Sequence, residues 1–201
     1  FMLYNLNRCN IFQYRIQRSE RGGNQMPKKS LYPQYSIDEA LILAQTIVKY
    51  NSGKPMRRLT LFSTIRRSPE SGTSRALITA SSSYGLTEGG YSAETITLKD
   101  RGQKIVEQDD KKEMLNAVLD IEVFKAFFDR YKNSTVPFQT AAIDYLKSQG
   151  IPEEGAPKCL DVLLSNGKKV ALIQDLSGSE RIVSYECAIE TLEVTDNPST
   201  K

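Results

Sequence analysis

The sequence predicts a mainly helical α+β chain made of two successive units, each of three helices and a small β-hairpin. Three observations carry this expectation. Apolar residues recur at helical spacing in stretches bounded by capping residues and glycines. Two β-prone runs, around 86–98 and 170–185, each straddle a glycine-containing turn. A charged stretch, Asp109-Asp110-Lys111-Lys112, separates two segments that follow the same order of helices and then a hairpin.

The first helix is announced by Ser36-Ile37-Asp38-Glu39, a capping box with Ser at the N-cap and Glu at N3. Ile37, Leu41, Ala44 and Val48 then share a face, and Asn51-Ser52-Gly53 ends the run. Leu59, Phe62 and Ile65 give a short second helix. Ser68-Pro69-Glu70 reads as a third helix start, with Ser as cap and Pro at N1. Leu77, Ala80 and Tyr84 point inward from that helix, and Gly85 closes it. Leu86-Thr87-Glu88 and Ile96-Thr97-Leu98 form strands around the Gly89-Gly90 turn. A further helix begins at Asp100.

This order, with short links, is helix-turn-helix plus a wing. The stretches SPESGTSRALITASSSYGLTEGG and YSAETITLKDRGQKIV, within residues 36–107, resemble the winged-helix domains of prokaryotic regulators. The matching residues are Ser71-Gly72, Arg75, Leu77, Tyr84-Gly85-Leu86, Ile96-Thr97-Leu98 and Gly102. The resemblance implies a recognition helix that starts near Ser71 and a wing between Leu86 and Leu98.

The pattern restarts at Ile121. Val123, Phe124, Phe127 and Phe128 line one face of a helix. Pro137 at N1 opens a second helix, closed by Gly150. A third, APKCLDVLLSNG, buries Cys159, Leu160, Leu163 and Leu164 and ends at Gly167. Val170–Ile173 and Arg181–Tyr185 form a hairpin whose turn holds Ser177-Gly178-Ser179. Phe138, Tyr131 and Tyr145 read as core with the other aromatics. The fold expectation is thus two winged-helix domains in tandem. An unstructured leader spans 1–30, a basic domain 31–108, a linker or linking helix 109–120, an acidic domain 121–195 and a fraying tail 196–201.

Residues 1–25 share no period with the rest. Met26-Pro27-Lys28-Lys29 reads as a natural start, and Glu20-Arg21-Gly22-Gly23 can be encoded by an all-purine, ribosome-binding-like run. The leader is then upstream DNA read through; the alternative is a basic arm.

Composition narrows the chemistry. There is no histidine among the 201 residues, which removes Ser-His-Asp and Cys-His catalysis and histidine zinc sites. Cys9, Cys159 and Cys187 lie too far apart in sequence for a C-x-x-C pair, as befits a reducing, cytoplasmic location. No phosphate-cradling glycine motif occurs, and no cofactor is expected. Ser165-Asn166-Gly167-Lys168 matches S-x-x-K only formally, since the companion motifs of that enzyme class are missing. No apolar run is long enough to span a membrane.

Charge points elsewhere. Residues 26–108 carry twelve Lys/Arg against seven Asp/Glu, whereas residues 109–201 carry eleven against sixteen. A polyanion is drawn to the former and repelled by the latter. The candidate DNA-binding residues are Arg57, Arg58, Arg66 and Arg67 around the second helix, and Ser71, Thr73, Ser74, Arg75 and Thr79 on the third. Tyr91 and Ser92 stand at the wing tip, with Lys99 and Arg101 beyond it. Arginine reads guanine edges, and Ser and Thr reach bases or phosphate. The expected function is non-enzymatic: a regulator that binds double-stranded DNA through its first domain and a homodimer mate or protein partner through its second. The alternative is an adaptor whose two domains bind protein and not DNA.

Overall fold

In a computed structural model, residues 30–196 are described. The predicted leader, apart from Ser30, and all of the tail after Asp196 lie outside the described residues.

Helix α1, Ile37–Asn51, starts at the expected capping box. The Ser36 hydroxyl accepts from the Glu39 amide, and the Glu39 carboxylate accepts from the Ser36 amide at 2.9 Å. Ser52, in the left-handed region at φ 50°, ends it. This helix is apolar on two sides. Leu43 and Ile47 pack with Met56, Leu61, Phe62, Leu77, Ile78 and Ile96 in a small core. Ile37, Ala40, Leu41 and Ala44 face a larger core that continues to Leu192. Val48, expected inward, is only half-buried.

Strand β1 (Met56–Arg57), α2 (Arg58–Thr64), α3 (Gly72–Ser83), β2 (Thr87–Glu88), β3 (Thr95–Leu98) and α4 (Asp100–Gln108) complete the first half. The antiparallel sheet has β3 at its centre, with Met56 opposite Ile96 and Thr87 opposite Leu98. Helix α5, Lys111–Leu119, occupies the segment expected to link the halves. The Asp110 carboxylate caps it at 2.9 Å, and Met114, Leu115, Ala117 and Val118 are buried.

The second half contains α6 (Glu122–Arg130), α7 (Gln139–Ser148), a single 3-10 turn (Glu153–Gly155), α8 (Ala156–Lys169), β4 (Ile173–Leu176), β5 (Ser179–Ile182) and α9 (Tyr185–Asp196). The stretch Asn133–Val136, between α6 and α7, lies along the free edge of β5. The Asn133 amide donates to the Ile182 carbonyl at 2.8 Å, and the Val136 amide to that of Glu180 at 2.9 Å. In the first half β1, between α1 and α2, pairs with β3 in the same way. Each half therefore follows the order helix, edge segment, helix, helix, two strands, helix.

Several local expectations are corrected. Ser68-Pro69-Glu70 forms a turn, and α3 starts later, at Gly72 with Ser71 as cap, because the Ser71 hydroxyl accepts from the Ser74 amide. Leu59 is 60% exposed; α2 is only two turns long and buries Leu61 and Phe62 instead. Pro137 precedes the α7 N-cap, Phe138, whose side chain stands in solvent at 89% exposure rather than in the core. Gly167 lies inside α8 and does not end it. A Cβ there would sit 2.7 Å from Ile173 and 2.9 Å from Phe128, so the glycine permits close packing of helix on hairpin. The hairpin begins three residues later than expected, since Ala171 turns left-handed after α8. Its turn is Ser177-Gly178, both at positive φ, the two-residue type that matches strand twist. The polar stretch after Tyr185 is a helix that buries Ala188 and Leu192.

One buried amide joins the halves. Asn166 of α8 accepts from the Ile37 amide at 2.8 Å and donates to the Tyr84 hydroxyl at 2.8 Å, which in turn donates to the Tyr35 carbonyl. The amide thus satisfies an otherwise orphaned donor at the start of α1. Burial pushes the Tyr84 hydroxyl well above its ordinary pKa.

Candidate nucleic-acid interface

Helix α3 presents a continuous polar face. Its residues GTSRALITASSS include no acid. Leu77, Ile78 and Ala80 turn inward, which leaves Gly72, Thr73, Arg75, Thr79, Ser82 and Ser83 exposed. These recur at three- and four-residue spacing on one side. The Thr79 hydroxyl donates to the Arg75 carbonyl and the Ser83 hydroxyl to that of Thr79, each retaining acceptor capacity toward solvent. Ser74 is not on this face. It is fully buried, and its hydroxyl donates to the Ser68 carbonyl at 2.7 Å, tying α3 to the preceding turn. Ser71 caps the helix and contacts the exposed Thr73 hydroxyl at 3.0 Å.

The arginines fall into two groups. Arg58 and Arg101 are structural ties. The Arg58 side chain, 14% exposed, donates to the Ala93 carbonyl at 3.2 Å, the Pro69 carbonyl at 3.1 Å and the Glu70 carboxylate at 2.9 Å. It pins the β2–β3 loop to the turn before α3. Arg101 bonds Glu113 and Asp120, each at 2.8 Å, and the Tyr84 carbonyl at 3.2 Å, fastening α4 to α5 and to the end of α3. A guanidinium so engaged is not free for phosphate without losing those bonds.

Arg66, Arg67, Arg57, Arg75 and Lys99 are exposed. Arg66 takes the left-handed conformation, φ 55°, that ends α2, and neither it nor Arg67 has a side-chain partner among the described residues. Arg57 lies 3.9 Å from Glu94 in an exposed pair that contributes little. Arg75 lies 3.8 Å from Glu70, and its guanidinium carbon sits 5.0 Å from the centre of the Tyr91 ring. Tyr91 and Ser92 are exposed in the loop between β2 and β3.

Sequence reasoning brought Arg66, Arg67, Thr73, Arg75, Thr79, Tyr91, Ser92 and Lys99 to the surface of the first half, as the structure has them. It missed the roles of Arg58 and Arg101 as ties. The companion acids Glu70, Glu113 and Asp120 are twelve to nineteen positions away, and only the fold brings them together.

The described residues hold no group of three or more Cys, Asp or Glu able to bind a metal. Cys159 is buried, and desolvation pushes its thiol up to about 12. No helix among the described residues is long and apolar enough to cross a membrane. Comparison of the chain with protein-family models, curated proteins and solved structures gives no match.

Proposed function

We propose that the chain is a DNA-binding regulator built from two winged-helix units, with α3 as the reading helix of the first. The observation that carries this is the acid-free exposed face of α3, which near its start holds Arg75 against the ring of Tyr91. A helix of this width enters the major groove, where Arg75, Thr73 and Thr79 would meet base edges. Arg66, Arg67 and Lys99 would meet phosphate. The repeated order of elements, edge segment included, supports two units of one kind. The second, acidic half would serve a homodimer mate or a protein partner.

A fluorescence-anisotropy titration of the full chain against mixed-sequence duplex DNA tests the reading. Three to five phosphate contacts give a log–log salt slope of about −2.7 to −4.5. Absence of binding at low salt would reject it. The adaptor reading is favoured by one observation, the solvent-facing ring of Phe138. It predicts a stable complex with another protein and no salt-dependent DNA binding.

A further inference from the structure

We infer that Tyr91 is a positioning residue for Arg75, and that it directs the Arg75 guanidinium at a guanine in duplex DNA. The inference rests on the DNA-binding reading above. The contacts close into a ring. The loop carrying Tyr91 and Ala93 is held by Arg58 through the Ala93 carbonyl at 3.2 Å. Arg58 holds one oxygen of Glu70 at 2.9 Å, and the other lies 3.8 Å from Arg75. Arg75 returns to the loop across the face of Tyr91 at 5.0 Å.

An exposed arginine ordinarily samples many rotamers. Here the ring face below and the carboxylate beside it restrict the guanidinium. The contact with the ring, 5.0 Å from its centre to the guanidinium carbon, takes up no N–H donor and leaves all of them available. Those donors are what the O6 and N7 acceptors of guanine require, in a planar fork. The Glu70 contact is too long for a hydrogen bond, so it biases the orientation without consuming a donor. Arg66 and Arg67 have no such support, which suits contacts to phosphate rather than to a base. Discrimination between bases then depends on Tyr91, which acts through Arg75.

The test uses the full chain and a duplex selected from a randomised pool. Each guanine of the selected site is replaced in turn by 7-deazaguanine, which keeps base pairing and lacks the N7 acceptor. Wild type should lose roughly tenfold in affinity at one position. Tyr91→Ala should bind the parent duplex about as weakly as wild type binds the deaza duplex, and should ignore the replacement. Tyr91→Phe keeps the stacking ring and should retain the discrimination. Binding of mixed-sequence DNA, with its salt slope, should survive in all three proteins. Indifference of wild type to every deaza position, or full discrimination by Tyr91→Ala, would overturn the inference while leaving DNA binding in place. Loss of salt-dependent binding by wild type itself would instead reject the underlying reading and this inference with it.

Discussion

Helices α3 and α8 occupy equivalent places in the two halves and present different surfaces. The exposed side of α3 is small and polar, with one arginine and no acid. The exposed side of α8 mixes Lys158, Asp161, Ser165, Lys168 and Lys169, and Glu153 and Glu154 precede it. Two of its lysines are already paired: Lys168 with Glu180, and Lys169 with Asp38 at 2.9 Å. The hairpins differ too. A six-residue loop in the first half carries Tyr91 over α3, whereas the second turns in two residues. The lesson is that a repeated order of elements fixes where a helix sits, while the residues on its outer face decide what it can bind.

The sharpest way to break this contrast is charge reversal. Arg66→Glu with Arg67→Glu should weaken binding to mixed duplex by roughly a hundredfold at low salt, on the order of one decade per reversed charge. Lys158→Glu with Lys168→Glu should change it by less than about threefold. Equal losses in the two anisotropy titrations would mean that the second half also carries a DNA surface.

A second comparison concerns glycine. A Cβ at Gly102 of α4 would fall on the Leu86 carbonyl oxygen, which belongs to backbone, whereas at Gly167 of α8 it meets side-chain tips. Gly102→Ala should cost about 3 kcal/mol and Gly167→Ala about 1–2 kcal/mol, by the usual expense of overpacking. Urea unfolding would reveal a reversed order if the tips cannot yield. Gly72→Ala, with open space around it, should be neutral or stabilise by a few tenths of a kcal/mol.

Asn166→Ala removes the amide shared by the two halves. It leaves the Ile37 amide buried without a partner, so a loss of about 2 kcal/mol is expected. A change within error would mean that water or a local rearrangement replaces the amide.

A further prediction concerns pH. Burial raises the Cys159 pKa to about 12, so the native state holds that proton more tightly than the unfolded chain. The associated stability is fully present below the ordinary thiol range, and is lost as pH climbs through that range toward the native value. The urea midpoint of wild type should therefore fall between pH 8 and pH 10.5 more steeply than that of Cys159→Val. Parallel slopes would remove Cys159 as a contributor.

Features coded by local chemistry were legible in the sequence. The Ser36–Glu39 box, the aromatic face of α6 and the glycines beside the first hairpin each state their conformation within a few residues. Features coded by distant partners were not. Strand β1 is two residues long, and Asn133–Val136 becomes an edge only because β5 lies beside it. Gly167 resembles a helix stop, since a glycine needed for close packing and one needed for a left-handed turn are the same letter. Ser74 sits among hydroxyl residues of similar type, and only the position of the Ser68 carbonyl decides that it is inside. For the candidate interface, the basic region was visible as composition. Its division into tied and free arginines depends on acids that the fold supplies.

The amide of Asn166 also bears on how the chain comes into being. Synthesis delivers α1 and α3 well before residue 166 leaves the ribosome. Until then the Ile37 amide lacks its partner, and the larger core that Ile37, Ala40, Leu41 and Ala44 share lacks its members from α8 onward. The nascent first half must therefore wait, partly bare, for the second to arrive. A fragment cut near residue 108 would keep Ala80, Tyr84, Leu86 and Ile105 beside α1 but lose the rest of the larger core, and should cling to itself or to chaperones.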